Sequence, residues 1–159
     1  MRKELFQLRN LKQSDVKEYI NFLLDPDVNV WLEDEVQSIK DFSNIENYLM
    51  FGWYRQAIEH DKKFIGVSGL DLINKKNKVA RFFIVIGKKN LWGKGIGSGV
   101  IKSIVNYGFK ELQLRKINSD FLTPNEAVKI IHEKAGFQHE GFLRKDSYRN
   151  NSWIDREIV

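Results

Sequence analysis

Glycines stand at positions 93, 95, 97 and 99, between a run of β-branched and aromatic residues ending at Ile86 and an apolar-periodic run starting at Val100. A glycine-rich turn between a strand and a helix suits phosphate chemistry. Without Cβ atoms the backbone N–H groups can approach phosphate oxygens, and the helix N-terminus adds positive potential. The spacing decides which phosphate fold this is not. A dinucleotide fingerprint requires G-x-G-x-x-G, and the strict alternation contains no such triplet. A P-loop requires four residues between its first glycine and a Gly-Lys pair. Here five separate Gly87 from Gly93, and Lys94 precedes Gly95. A plain glycine-rich turn capping a helix stays open at this point.

The elements around the turn follow from periodicity. Leu5–Leu8 reads as a strand. Ser14 opens a helix as its N-cap, with Tyr19, Ile20, Phe22, Leu23 and Leu24 on its apolar face, and Asp25-Pro26 closes it. Residues 26–37 read as a loop, and Asp41–Phe51 as a second helix. Trp53–Ile58, Phe64–Leu70 and Val79–Ile86 read as strands, separated by turns at 60–62 and 74–77. The helix after the glycines carries Val100, Ile101, Ile104, Val105, Tyr107 and Phe109. Leu114–Phe121 reads as a strand and Asn125–Lys134 as a helix with Gly136 as its left-handed cap. Gly141–Tyr148 and Trp153–Val159 form a hairpin across 149–152. The whole chain, residues 1–159, reads as one mixed α/β domain with no internal repeat.

Two motifs resemble a known family. Trp92-Gly93-Lys94-Gly95-Ile96-Gly97 is similar to the GNAT acetyltransferase signature, which is Gln or Arg, two residues, Gly, one residue, then Gly or Ala. Gly95 and Gly97 match its small positions, while Trp92 departs from Gln/Arg. About 30 residues on, Asn125-Glu126-Ala127 and His132-Glu133-Lys134-Ala135-Gly136-Phe137 resemble the family's last helix. The Trp-Gly-Lys-Gly form, and Glu140–Arg144 with its hairpin, resemble the branch holding ribosomal-protein N-terminal and spermidine acetyltransferases. The resemblance implies a single GNAT-like domain. Its mixed, mostly antiparallel sheet would splay into a V, flanked by about four helices. It implies acetyl-CoA as acyl donor, held by the backbone of Ile84, Val85 and Ile86 and by Gly93, Lys94, Gly95, Ile96, Gly97 and Ser98, with Asn125 contacting the pantetheine. Lys88 or Lys94 would assist at the pyrophosphate, although Lys88 and Lys89 read equally as a solvated turn. No metal is implied.

Acetyl transfer to an amine needs a base for the amine, donors for the oxyanion and an acid for the leaving thiolate. His132 occupies the helix position where spermidine acetyltransferases carry a proton-donating Tyr, and an imidazole can serve there. A surface histidine is the alternative. Glu33 and Glu35 flank Asp34, so an extended loop points both the same way; they are the candidate bases, against a solvated acidic loop. Trp31 and Trp53 read as core or site walls rather than cation binders.

Charge narrows the acceptor. The chain has a net charge of +5, yet Asp25–Tyr48 carries seven acids against Lys40 alone, a local charge of −6 that leaves +11 elsewhere. A basic body suits an anionic donor and an acidic segment suits a cationic amine, a polyamine foremost. A protein N-terminus or an aminoglycoside meets the same charge logic, and an amino-sugar nucleotide does so less well. The rival class is a non-catalytic CoA- or RNA-binding module, although no RNA-recognition aromatic signature is present. No cysteine occurs, which excludes disulfides, a thiol nucleophile and thiolate metal sites. No run spans a bilayer and no signal-peptide core is seen, so a cytoplasmic protein without membrane or nucleic-acid partners is expected. A homo-oligomer stays open.

Overall fold

The computed structural model describes residues 5–33, 36 and 43–159. Strand β1 is Gln7–Arg9, followed by helices α1 (Gln13–Leu24), α2 (Pro26–Asn29) and α3 (Ser43–Phe51). Strands β2 (Tyr54–His60), β3 (Lys63–Asn74) and β4 (Val79–Ile86) lead through a 3-10 turn at Lys89–Leu91 into α4 (Ile96–Lys110). Then come β5 (Lys116–Asn118), β6 (Asp120–Leu122), α5 (Glu126–Ala135), β7 (Gly141–Arg149) and β8 (Ser152–Ile158). The expected order holds except for two additions: the one-turn α2 inside the segment read as loop, and a division of one expected strand into β5 and β6. The start of the second predicted helix, Asp41–Phe42, lies outside the described residues.

Five strands form a sheet in the order β1-β2-β3-β4-β5, and a second sheet has the order β6-β8-β7. Neighbours in the first are antiparallel except β4 and β5, which run parallel. The two faces of β4 explain how one sheet carries two cores. Ala80, Phe82, Ile84 and Ile86 pack toward Ile96, Val100, Ile101 and Ile104 of α4. Phe83 and Val85 pack toward Val16, Tyr19, Phe22 and Leu23 of α1 and Ile45 and Leu49 of α3. Strand alternation at period 2 meets helical stripes at period 3.6 on both sides.

Two expectations are corrected. Ser14 is not the cap of α1. The cap is Lys12, two residues earlier, and Asp15 reaches back to accept from the Lys12 N–H at 2.8 Å while Arg9 grips its carboxylate at 2.7 and 2.9 Å. The strand read over 114–121 is two strands. β5 pairs with β4 as far as Arg81↔Asn118; the chain crosses at Ser119, and β6 pairs with β8. Ser119 and Val159 exchange backbone hydrogen bonds of 2.8 and 2.9 Å at that crossing. β4 continues for five more residues and, among the described residues, no strand pairs on its β5 side, which opens the V. Among the described residues, no helix is long and apolar enough to cross a membrane.

Candidate active site

The glycine turn is built as an anion cradle. Gly93 and Gly95 have φ of +72° and +86°, a region that side chains with a Cβ adopt only at a cost. Gly95 is the N-cap of α4 and supplies no capping side chain, and no acid stands in the first turn. The N–H groups of Ile96, Gly97 and Ser98 therefore have no intrahelical acceptor. A Cβ at Gly97 would find only ordinary contact with Ile131 at 3.6 Å, consistent with a position that takes Gly or Ala. Ile96 belongs to the core, so only its backbone is available to a ligand.

Beside the cradle runs the free edge of β4. In a strand, the N–H and C=O of successive residues alternate sides. The carbonyls of Phe82 and Ile86 face the β5 side: the Ser119 hydroxyl lies 3.2 Å from the first, and the Trp92 indole donates to the second at 2.8 Å. Ile84 shares their parity, so its N–H and C=O point into the opening. Val85 points toward β3. Of the three residues expected to hold the donor through their backbone, the geometry presents Ile84 most directly. Trp92, the departure from the signature, has a structural task in fastening the turn to β4.

The lysines of the turn differ in their partners. Lys88 bonds Glu18 at 2.6 Å and stands 5.0 Å from the Phe22 ring centroid. Lys89 bonds Asp25 at 2.9 Å and Asp27 at 2.6 Å, and these contacts push the Asp25 carboxyl below its ordinary pKa. Both lysines thus anchor the turn to α1 and α2 rather than waiting for phosphate. Lys94 is exposed and is the better placed of the predicted pair.

Asn125 is half-buried and caps α5, its side chain accepting from the Val128 N–H at 3.3 Å. His132 is not at the surface of the opening. It is 2% exposed, with the rings of Phe82, Phe121 and Phe137 around it. Its Nδ1 lies 2.8 Å from the Val128 carbonyl and its Nε2 lies 2.9 Å from the Ser119 hydroxyl. A carbonyl only accepts, so Nδ1 carries the hydrogen and Nε2 accepts from Ser119. Burial pushes the imidazole pKa down, which favours the neutral ring. Direct proton donation by His132 to a group in the opening is therefore set aside; the residue is a core strut.

The opposite face gathers charges that the sequence left scattered. Arg81 bonds Glu33 at 2.5 Å and Asp120 at 2.7 Å. Arg156 bonds Asp120 and Asp146 at 2.6 Å each and reaches Glu33 at 3.4 Å. Arg149 holds the loop itself, donating to the Leu32 carbonyl at 2.9 Å and the Val30 carbonyl at 3.3 Å. Glu33 is thus brought to the Arg81–Arg156 cluster where β4 and β5 part, half-exposed but ion-paired. Glu35 and Asp34 lie outside the described residues. Nearby, the buried Arg55 guanidinium stands 4.2 and 4.7 Å from the ring centroids of Tyr48 and Phe83 and is ion-paired with Asp71. The Tyr48 hydroxyl donates to Asp71 at 3.4 Å, and its pKa is pushed up to about 12, chiefly by burial. Arg81, Asp120 and Arg156 escaped the sequence reading. For Arg81 the available signal was a charge in the middle of the apolar run Val79–Ile86, at a half-buried position between buried Ala80 and Phe82.

The family described as acetyltransferase (GNAT) domain matches residues 6–138. The chain belongs to the GNAT acetyltransferase family. The acetyltransferase is 35% identical to the uncharacterized N-acetyltransferase YoaA of Bacillus subtilis over 97 residues, covering 61% of this chain but only 54% of YoaA. It is 26% identical to the spermidine N(1)-acetyltransferase of Vibrio cholerae over 152 residues, 93% of this chain and 87% of that protein. Its fold matches the crystal structure of the Vibrio cholerae spermidine N-acetyltransferase in complex with CoA and spermine. The TM-score is 0.84 at 24% identity, over 98% of this chain and 94% of that one. The acetyltransferase uses acetyl-CoA as its donor, as the family does. The cradle and the free edge of β4 fit such a donor: unpaired N–H groups for phosphate, and open backbone groups for an amide-bearing arm.

Proposed function

We propose that this enzyme transfers the acetyl group of acetyl-CoA to a primary amine of a small cationic acceptor, a polyamine foremost. Nearly full-length similarity to a spermidine acetyltransferase carries the reading. In this reading Gly93–Ser98 and Lys94 hold the pyrophosphate, Ile84, Val85 and Ile86 line the arm, and the Asn125 amide adds a contact. A backbone N–H near the thioester oxygen favours the charge that develops there; one such donor contributes about 3–4 kcal/mol. Glu33 and Glu35 receive the acceptor's positive charge and, directly or through water, its proton. Glu33 does so as part of a set in which three carboxylates (Glu33, Asp120, Asp146) meet two guanidiniums (Arg81, Arg156). That set is net negative by one charge and so tolerates a cation better than an anion. The enzyme works in the cytoplasm on this reading.

A thiol-release assay with acetyl-CoA tests it against spermidine, spermine, an aminoglycoside, an N-terminal peptide and an amino-sugar nucleotide. Turnover should be fastest with the polyamines. Turnover confined to the peptide or to the sugar nucleotide rejects the polyamine and leaves the acetyltransferase.

A further inference from the structure

The sheet carries one polar row where its strands part. Register places Asp71 of β3 opposite Arg81 of β4, and Arg81 opposite Asn118 of β5. The preceding row, with Ala80 and Ile117, packs under α4. By alternation the polar row faces the other way, toward α1 and α3, the side on which Phe83 and Val85 lie. That is the side of Glu33 and Tyr48, whereas the glycine cradle opens α4 on the opposite face. The pair Arg81↔Asn118 is also the last rung of the β4–β5 ladder, so Asn118 stands at the vertex of the V.

Among the described residues two buried side-chain atoms have no hydrogen-bond partner: Arg55 Nε, on β2, whose guanidinium is held through its other nitrogens by Asp71 and backbone carbonyls, and the oxygen of Asn118 at the vertex itself. Arg81 is taken by Glu33 and Asp120. Asp71 is taken by Arg55 and Tyr48. The Ser119 hydroxyl hydrogen is taken by His132. The side-chain oxygen of Asn118 is buried and, among the described residues, has no hydrogen-bond partner. A buried carbonyl oxygen without a donor is uncommon in folded proteins and calls for one. A carboxamide oxygen accepts an N–H without competing for the proton itself, so it can orient an amine that has already lost its charge.

We infer that Asn118 is an acceptor-positioning residue: its side-chain oxygen receives an N–H of the attacking primary amine at the vertex of the V. The inference rests on amine acetylation and not on the polyamine as the particular acceptor. The donor's own amide is disfavoured as the partner, because Asn118 faces away from the cradle side.

The experiment compares wild type, Asn118→Ala and Asn118→Asp, using whichever of spermidine, an N-terminal peptide and an aminoglycoside the wild type acetylates fastest. A preference other than spermidine would count against the polyamine and not against Asn118. In Asn118→Ala the acceptor KM should rise about tenfold, the loss of one hydrogen bond. Thermal stabilisation by acetyl-CoA should stay unchanged, and Asn118→Asp should recover most of the acceptor KM. The urea midpoint of Asn118→Ala should hold or rise, since an unpaired buried oxygen is removed. A lowered midpoint with unchanged acceptor KM would make Asn118 a structural residue and overturn the inference. So would a weakened acetyl-CoA shift, which would assign the oxygen to the donor.

Discussion

At the scale of single residues, His132 shows how one side chain can fit a motif and serve another purpose. Its helix position is the one the resemblance ties to proton donation, yet its ring is enclosed by three phenylalanines and hydrogen-bonded at both nitrogens. The imidazole pKa lies below its ordinary 6.5 because burial disfavours the cation. The unfolded chain then binds more protons than the folded one as pH falls below about 6.5, so stability drops on acidification. The contribution is complete above that pH and is lost as pH falls toward the folded pKa. One such group gives a slope of at most about 1.4 kcal/mol per pH unit. Urea unfolding at pH values between about 8 and 5 should show a steeper loss for wild type than for His132→Phe. Equal slopes would mean that the ring titrates normally and is not enclosed in solution.

At the scale of elements, the glycine turn separates two demands on one motif. Position 95 needs a left-handed backbone, so Gly95→Val should both destabilise the protein, by roughly 1–3 kcal/mol of strain, and abolish thermal stabilisation by acetyl-CoA. Position 97 has no such φ and has space for a methyl against Ile131, so Gly97→Ala should keep both. A Gly97→Ala variant that lost the acetyl-CoA shift would mean that the ligand approaches the Cβ side of that residue. The elements themselves were largely legible in the sequence: Val79–Ile86 is the β4 strand to the residue, and Gly136 caps α5 as expected, while Asn125, read as the first helical residue, is its N-cap. The break at Ser119 was not legible, because Leu114–Phe121 reads as a continuous strand and only the partner on each side changes. The partners of Lys88 and Lys89 were hidden for a related reason. Local sequence shows a positive turn beside a phosphate motif, whereas Glu18, Asp25 and Asp27, which hold it, lie more than 60 residues away. Long-range pairing of charges leaves no periodic trace, so Arg81 and Asp120 could not be joined to Glu33 before the fold was known.

At the scale of the whole molecule, charge is distributed unevenly along the chain. The chain is +5 overall, but the 25–48 segment is −6. Part of that negative charge is already used: Asp25 and Asp27 hold Lys89, and Glu33 holds Arg81. What a cationic acceptor feels depends on range. Fields are screened over about 10 Å at 0.1 M salt, so an approaching amine should sense the acidic segment and not the net charge. Salt dependence gives that statement a sign. If the local segment captures the acceptor, kcat/KM for a polyamine should fall as NaCl rises from about 50 to about 300 mM, because attraction is being screened. If the net positive charge governed the encounter, the same titration would raise kcat/KM, because repulsion would be screened. The anionic donor supplies an internal control: drawn to a basic body, its own kcat/KM should fall over the same range under either case. Measuring both substrates in one salt series, each at saturating concentration of the other, therefore isolates the acceptor's field. A rising polyamine curve beside a falling acetyl-CoA curve would show that the acidic segment does not steer the acceptor, and would remove charge as a reason to prefer a polyamine.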